Sequence, residues 1–185
     1  MDYHIMDAPL NDKTVAFLAT DGVEQIELTR PWKDLQGAGA TLHLISLKQG
    51  KINAFHHLDK AHSFPVDKVV SEVSANDYDA LVLPGGVANP DALRLDKDAV
   101  SFVKHFFNSH KPVAAICHAP WLLVEAGVIK GKTLTSFPSL QTDILNAGGT
   151  WVDEEVCNDN GLITSRNPQD LDAFCARIIE VLSED

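Results

Sequence analysis

Residues 113–123 read VAAICHAPWLL, and in this stretch an apolar run typical of a buried strand changes abruptly into a run typical of a helix. Cys117 stands at the change, and Pro120 follows where the first turn of a helix tolerates a missing N–H. α/β hydrolases hold their nucleophile on a sharp turn of this kind, above the end of the sheet. The stretch therefore predicts a strand–turn–helix unit with a reactive Cys117, which we favour over the alternative of a cysteine buried in the core.

Strand-like and helix-like segments alternate on both sides of this unit. Buried strands are predicted for the apolar runs 13–20, 41–47, 79–86 and 111–117. Apolar residues at helical spacing, ended by glycines, predict the helices between and after them. Because these strands are apolar along both faces, we expect a mostly parallel sheet covered by helices on both sides, which is a three-layer α/β fold. We expect one domain, residues 13–185, after a polar leader, residues 1–12.

Three further segments complete the predicted fold. Residues 48–73 are rich in turn residues and alternate in polarity, which predicts a small β-hairpin. Residues 133–137, TLTSF, are expected to restart the main sheet. Residues 152–166 are expected to form two strands joined by a turn at Asn160 and Gly161.

Composition and charge exclude several classes of function. The chain has 185 residues, of which 45% are hydrophobic and 22% charged, as in a globular domain. Its net charge of -11 argues against binding to nucleic acid or to an anionic membrane surface. The sequence shows no signal peptide and no apolar segment of the roughly 20 residues that a membrane span needs. A soluble cytoplasmic protein is the expectation.

The cysteines indicate neither a disulfide framework nor a metal site. There are three of them, widely spaced and odd in number, which suits a reducing compartment. Cys117 and His118 supply at most two ligands and no matching pair follows, so we expect no metal and no cofactor. His56, His57 and His62 fall in the predicted hairpin and are expected to be solvated.

Three loops are expected to meet at the carboxyl ends of the parallel strands, where α/β sheets bind ligands. They are residues 21–24, 84–87 and 117–119. Gly85 and Gly86 would let the backbone approach a ligand and present N–H groups to an oxyanion. The carboxyl group of Glu24 would lie near the Cys117 thiol. The start of the helix that follows Cys117 would favour the thiolate form of this cysteine.

His118 has two interpretations. Neighbouring residues on a sharp turn rarely point together, but a turn of this geometry can place the ring beside the sulfur, where it would act as a general acid or base. The alternative is a histidine that only packs against the start of the helix.

These residues together resemble the PfpI family of intracellular-protease-like proteins. The motifs that carry the resemblance are DGVEQIEL, DALVLPGG, AICHAP, LTSFPS, NAGGTWVDEEV and ITSRNPQDL, in order across residues 13–183. The family belongs to the superfamily of the parkinsonism-associated deglycase and is related in fold to class I glutamine amidotransferase domains. The resemblance implies a flavodoxin-like sandwich and assembly as a homodimer or a higher homo-oligomer.

The resemblance also implies roles for individual residues. Cys117 would be the reactive cysteine, Glu24 would hydrogen-bond its sulfur, and the amides of Gly86 and Val87 would form the oxyanion site. In protease-like members a carboxylate from a neighbouring subunit orients the histidine, and Asp91 is the nearest candidate, displaced by one position and shorter by a methylene. Arg166 matches a recurrent arginine, which would hold an acidic group of the substrate or pair structurally at the strand end.

The leading functional prediction is a stress-response enzyme, a cysteine-dependent hydrolase of deglycase or glyoxalase-like type. Its substrates would be small aldehydes or glycated proteins and peptides. Two alternatives stay open. One is an oxidation-sensing protein without turnover, since a carboxyl group beside an accessible thiol suits stable oxidation of sulfur. The other is an intracellular cysteine peptidase whose site is completed by oligomerisation.

Overall fold

A seven-stranded sheet forms the centre of the protein, for which a computed structural model describes residues 8–184. In chain order the strands are β1 (Thr14–Leu18), β2 (Val23–Glu24), β3 (Thr41–Ser46), β4 (Lys51–His56), β5 (Asp59–Pro65), β6 (Lys68–Val69), β7 (Ala80–Leu83), β8 (Val113–Ile116), β9 (Thr133–Leu134), β10 (Thr150–Trp151), β11 (Cys157–Asp159) and β12 (Leu162–Ser165). The α-helices are α1 (Gln25–Gly37), α2 (Ala88–Leu93), α3 (Lys97–Asn108), α4 (Pro120–Ala126), α5 (Gln141–Asn146) and α6 (Leu171–Ser183).

The central sheet has the order β11-β12-β8-β7-β1-β3-β6, and every pairing in it is parallel except that of β11 with β12. Strands β7, β8 and β12 are buried along their whole length. Their alternate side chains enter two apolar clusters, one with Phe102 and Phe106 of α3 and the other with Phe174 of α6. The predicted three-layer α/β fold is therefore confirmed.

The predicted hairpin is also confirmed. Strands β4 and β5 pair antiparallel, and β2 joins β4 to make a separate three-stranded sheet. The pairing of Glu24 with Phe55 brings the hairpin tip, His57 and Leu58, to the carboxyl end of the central sheet. The hairpin thus forms one wall of the cleft at Cys117.

The prediction that residues 133–137 restart the main sheet is wrong. Strand β9 pairs instead with β10 in a two-stranded sheet of its own. The reason is that β11 already occupies the free edge of β12, because the turn at Asn160 and Gly161 folds β11 back against it, as predicted for this pair of strands.

The predicted leader lies partly outside the described residues, since residues 1–7 are not among them. Within the described part, Leu10 is fully buried and its N–H donates to the carbonyl of Ala38 at 2.9 Å. The packed domain therefore begins before residue 13. None of the helices between residues 8 and 184 is long and apolar enough to cross a membrane.

Asn89, in the short helix α2, connects the ends of two central strands. Its carbonyl oxygen accepts from the amide of Thr20 at 2.8 Å, just after β1. Its side-chain amide donates to the carbonyls of Pro84 and Gly85 at 2.9 and 3.0 Å, just after β7. Asn89 is fully buried, so these bonds have no competition from water and hold the Pro84–Gly86 turn in one conformation.

We expect Asn89→Leu to lower the free energy of unfolding by about 3 kcal/mol or more. The substitution keeps a similar volume but removes the side-chain partner of the Thr20 N–H and of the Pro84 carbonyl, and one of the two donors to the Gly85 carbonyl. The measurement is the midpoint of chemical denaturation, with Asn108→Leu, at an exposed position near the end of α3, as the control. Equal midpoints for the two variants would contradict the structural role of Asn89.

Candidate active site

Cys117 lies on the sharp turn between β8 and α4 that the sequence predicted. Its backbone is left-handed, with φ of +63°, which is strained for a residue other than glycine. Two hydrogen bonds hold this conformation: the Cys117 amide donates to the carbonyl of Ser165 at 3.1 Å, and the Cys117 carbonyl accepts from Phe137 at 2.9 Å. Cys117 is only 8% exposed, and what is exposed faces a cleft.

The two glycines after β7 allow this close packing. A Cβ at Gly85 would lie 2.8 Å from the Cβ of Cys117, and a Cβ at Gly86, where φ is +82°, would collide with the carbonyl of Gly22. With no side chain there, the amide of Gly86 reaches the Cys117 sulfur, as does the amide of His118. Two N–H donors therefore face the sulfur, and the donor at His118 is one that the sequence did not predict.

The carboxyl group beside the sulfur belongs to Glu27, in the first turn of α1. The Oε1 atom of Glu27 accepts from the amide of Gly85 at 3.0 Å. The Glu27 carboxyl group also has the Cys117 thiol as a side-chain hydrogen-bond partner. Its Oε2 has no partner of regular hydrogen-bond geometry within the described residues. Burial, and after it the charge of Glu24, raise the pKa of Glu27 from its ordinary 4.5 to about 8. At neutral pH Glu27 therefore holds a proton that it can donate to sulfur.

The expectation that Glu24 makes this hydrogen bond is corrected by the structure. The Glu24 carboxylate accepts instead from the amide of His57 at the hairpin tip, with Oε2 at 3.1 Å from that nitrogen. The chain is still extended at Glu24 in β2, whereas Glu27 lies three residues on, on the buried face of α1 with Leu28 and Pro31. A carboxylate within the apolar face of a helix was the sequence signal that could have identified Glu27.

The thiol is not the low-pKa thiolate that the helix start had suggested. Burial is the largest cause of the raised pKa of Cys117. A charge on Glu27 acts in the same direction only when that carboxyl is ionised, and the amides of His118 and Gly86 act in the opposite direction. The thiol is protonated at neutral pH and needs a base to become a nucleophile.

His118 is placed to be that base. Its Nδ1 lies 3.2 Å from the Cys117 sulfur, and its Nε2 lies 3.4 Å from the hydroxyl of Ser139. The ring stacks on Phe137 and meets the edge of Trp121. Burial lowers the pKa of His118, so the imidazole is neutral at pH 7 and has a free nitrogen to accept a proton.

The sulfur opens onto a cleft of about 630 Å³. Its walls are mostly apolar and include Phe55, Leu58, Val87 and Phe137, while Glu24 and Asp91 contribute carboxyl groups. No group of three or more His, Cys, Asp or Glu side chains between residues 8 and 184 is arranged to hold a metal ion.

Val87, Asp91 and Gly85 were also predicted to belong to the site. Val87 and Asp91 line the cleft, but Asp91 makes no contact with His118 among the described hydrogen bonds of this chain. The amide of Gly85 donates to Glu27, so it does not serve an oxyanion.

Arg166 does not line the cleft, which corrects its predicted role in substrate binding. Its guanidinium donates to both carboxyl oxygens of Asp170, at 2.9 and 3.0 Å, and to Asp153 at 2.9 Å. Two carboxylates already satisfy the charge of Arg166, because the chain turns back at the end of β12 and brings them to it. The structural alternative for Arg166 is therefore the one that the structure supports.

Comparison with known proteins identifies the family of this chain. A family model described as the DJ-1/PfpI family matches residues 13–181. The chain is 41% identical over 170 residues to a Bacillus subtilis protein named "Putative cysteine protease YraA", covering 92% of this chain and 98% of that one. It is 39% identical over 168 residues to a Pyrococcus horikoshii protein named "Deglycase PH1704", with 91% and 98% covered. The crystal structure of Drosophila melanogaster DJ-1beta superposes with a TM-score of 0.85 at 28% identity, covering 94% of this chain and 91% of that one.

We expect Glu27→Gln to stabilise the protein at neutral pH. The folded state keeps the Glu27 proton up to about pH 8, whereas the unfolded chain releases it near 4.5, so ionisation destabilises the fold increasingly between these values. Glutamine cannot ionise. The gain should be near zero below pH 4.5, on the order of 3 kcal/mol at pH 7, and constant above pH 8.

The measurement is urea unfolding of both proteins from pH 4 to 9. Glu72→Gln, at an exposed position, is the matched control and should follow the wild type at every pH. If the free energy of unfolding of Glu27→Gln changed with pH in parallel with that of the wild type, Glu27 would be ionised in the folded protein.

Proposed function

The chain belongs to the DJ-1/PfpI family, and on that premise we propose that it is a cysteine-dependent hydrolase acting on aldehyde-modified or glycated groups. One observation carries the proposal: the Cys117 sulfur, at the floor of an open cleft, has a protonated carboxyl, a neutral imidazole and two amide donors around it. These are the parts of a nucleophile with its base and oxyanion site. Relatives named as a deglycase and as a cysteine protease support the same class of enzyme.

The reaction begins with proton transfer from the Cys117 thiol to Nδ1 of His118 as the sulfur attacks the substrate. For an α-oxoaldehyde, sulfur adds to the aldehyde carbon, and the resulting oxyanion accepts from the amides of Gly86 and His118, with that of Val87 as the further predicted donor. His118 then returns the proton to this oxyanion. In an adduct, sulfur instead displaces the carrier: the bond between the first carbon and the carrier nitrogen or sulfur breaks, and the carrier leaves with the proton held by His118. Both routes give the same hemithioacetal on Cys117.

The second half of the reaction releases the product. His118 moves a proton from the first carbon of the hemithioacetal to the second, which converts it into a thioester of a 2-hydroxy acid. Water then hydrolyses the thioester and restores the Cys117 thiol. Methylglyoxal plus one water gives lactate, so the cycle is balanced and needs neither a metal nor a redox cofactor. Removal of reactive aldehyde adducts is the stress-response role that we propose.

We expect Cys117→Ala to form lactate from methylglyoxal adducts of N-acetylcysteine and N-acetylarginine only at the uncatalysed rate. Free methylglyoxal is removed beforehand and amine buffers are avoided, because reversible adducts imitate turnover. Lactate is quantified by NMR. Cys157→Ala is the matched control and should retain wild-type activity, since Cys157 lies in β11 away from the cleft. Equal lactate formation by wild type and Cys117→Ala would overturn the proposal.

Oxidation sensing is the second candidate, and the free Oε2 of Glu27 favours it, because a proton there can bond an oxidised sulfur. Intact mass after mild peroxide distinguishes the two functions. Oxidation confined to Cys117, without lactate formation, would favour sensing. Oxidation spread over Cys157 and Cys175 as well would count against it.

Peptidase activity and assembly are linked through Asp91. Because Asp91 does not reach His118 within this chain, a peptidase site needs the carboxylate of a neighbouring subunit in a homodimer or larger oligomer. Peptidase activity that persists in Asp91→Asn would contradict a peptidase site that is completed by this carboxylate. Oligomeric assembly and a cytoplasmic location stay predictions.

A further inference from the structure

The charges that line the cleft all have the same sign. Glu24 and Asp91 contribute carboxyl groups to its walls, whereas no lysine or arginine of the described chain lines it. The arginine that the sequence offered for an acidic substrate, Arg166, is held outside the cleft by Asp153 and Asp170. Among residues 8–184, the cleft therefore has no lysine or arginine that would neutralise an anionic substrate.

Glu24 is held in a defined position within this cleft. It is 8% exposed, and its two carboxyl oxygens lie 3.1 and 3.4 Å from the amide nitrogen of His57. The Nδ1 of His57 lies 3.9 Å from Oε1, but 87% of that side chain is exposed, so it stands in water rather than over the carboxylate. One face of the carboxylate is thus left to the cleft.

Glu24 is also close enough to act on the reacting groups. Its charge raises the pKa of both Glu27 and Cys117. The apolar side chains of Phe55, Leu58 and Phe137 line the same space, which keeps electrostatic interactions strong there. A positive charge placed beside Glu24 would offset its effect on the thiol and so ease nucleophilic attack.

A second observation points to a ligand in the same space. Glu27 is fully buried and lines the cleft floor, and its Oε2 has no partner of regular geometry among residues 8–184. The Cys117 thiol is its neighbour, so a group bound at the sulfur can supply the hydrogen-bond partner that this oxygen lacks. The carboxyl groups therefore surround a binding site rather than a solvated surface.

We propose that this cleft selects substrates carrying a positively charged nitrogen, which binds the Glu24 carboxylate while the aldehyde-derived carbon lies at Cys117. Asp91, in α2, also lines the cleft and contributes to the same preference. The substrate class is thus an aldehyde adduct on a cationic carrier, and adducts on anionic carriers are disfavoured. As a statement about substrates, this inference rests on the proposed function.

The first test measures the charge preference without requiring turnover. Three methanethiosulfonate reagents share one reacting group and a two-carbon arm that ends in a trimethylammonium, a hydroxyl or a sulfonate. The Cys117 sulfur attacks the sulfenyl sulfur, the S–S bond of the reagent breaks, methanesulfinate leaves, and the thiol proton passes to His118 and then to solvent. Rates at Cys117 are measured by peptide mass and divided by the rate of each reagent with 2-mercaptoethanol.

We expect the corrected rates to fall in the order cationic, neutral, anionic, with roughly a tenfold difference between the extremes at low salt. In Glu24→Gln, whose side-chain oxygen can still accept from His57, the difference should shrink at least threefold, and in Asp91→Asn it should shrink less. Glu72→Gln is the control and should keep the wild-type difference. Equal corrected rates in the wild type, or an unchanged difference in Glu24→Gln, would overturn the inference.

The second test uses turnover and separates this inference from the proposed function. Methylglyoxal hemithioacetals of thiocholine, 2-mercaptoethanol and 3-mercaptopropionate carry a positive, neutral and negative arm. The expected kcat/KM for lactate formation falls in the order cationic, neutral, anionic. The differences between the three substrates should become smaller in Glu24→Gln. Turnover of all three at equal kcat/KM would overturn the charge preference and leave the enzyme activity standing. Absence of turnover with the reagent preference intact would overturn the enzyme activity alone.

Discussion

The hydrogen bond from the amide of Gly85 to the buried carboxyl of Glu27 is the interaction on which the site depends. It joins the first turn of α1 to the turn after β7, and Cys117 packs against both. Burial keeps the proton on Glu27 at neutral pH, so the carboxyl can lie beside the thiol without a second charge. A charged carboxylate here would raise the pKa of Cys117 further and oppose attack. The proposed attack by Cys117 therefore depends on Glu27 being neutral.

Two turns, the one after β7 and the one after β8, position this pair, and buried hydrogen bonds hold each of them. Asn89 fixes the Pro84–Gly86 turn, Ser165 and Phe137 hold the strained backbone of Cys117, and Phe137 also stacks on His118. The strain at Cys117 is maintained by the sheet around it, since β8 lies between β7 and β12. Such a site is preorganised: the base and the amide donors face the sulfur before any substrate arrives.

The errors of sequence-based prediction all concern contacts between distant segments. Residues 133–137 have a strand-like pattern, but β11 occupies the free edge of β12, so β9 pairs with β10 instead of joining the main sheet. Arg166 could equally bind a substrate or pair with carboxylates, and only the return of the chain at Asp153 and Asp170 decides between them. Glu24 and Glu27 are both acidic residues near one loop, and which one faces the sulfur depends on where α1 begins.

The sequence by itself determined the α/β architecture, the hairpin, and Cys117 on a strand-to-helix turn next to two glycines, because apolar periodicity and turn residues are local signals. Only the tertiary structure decided which carboxyl meets the thiol, that the thiol is protonated, and that the cleft is lined by carboxyl groups without an arginine. Those properties arise from burial and from distances between residues far apart in the chain. Desolvation and Coulomb interactions depend on three-dimensional position, which a pattern along the chain does not encode.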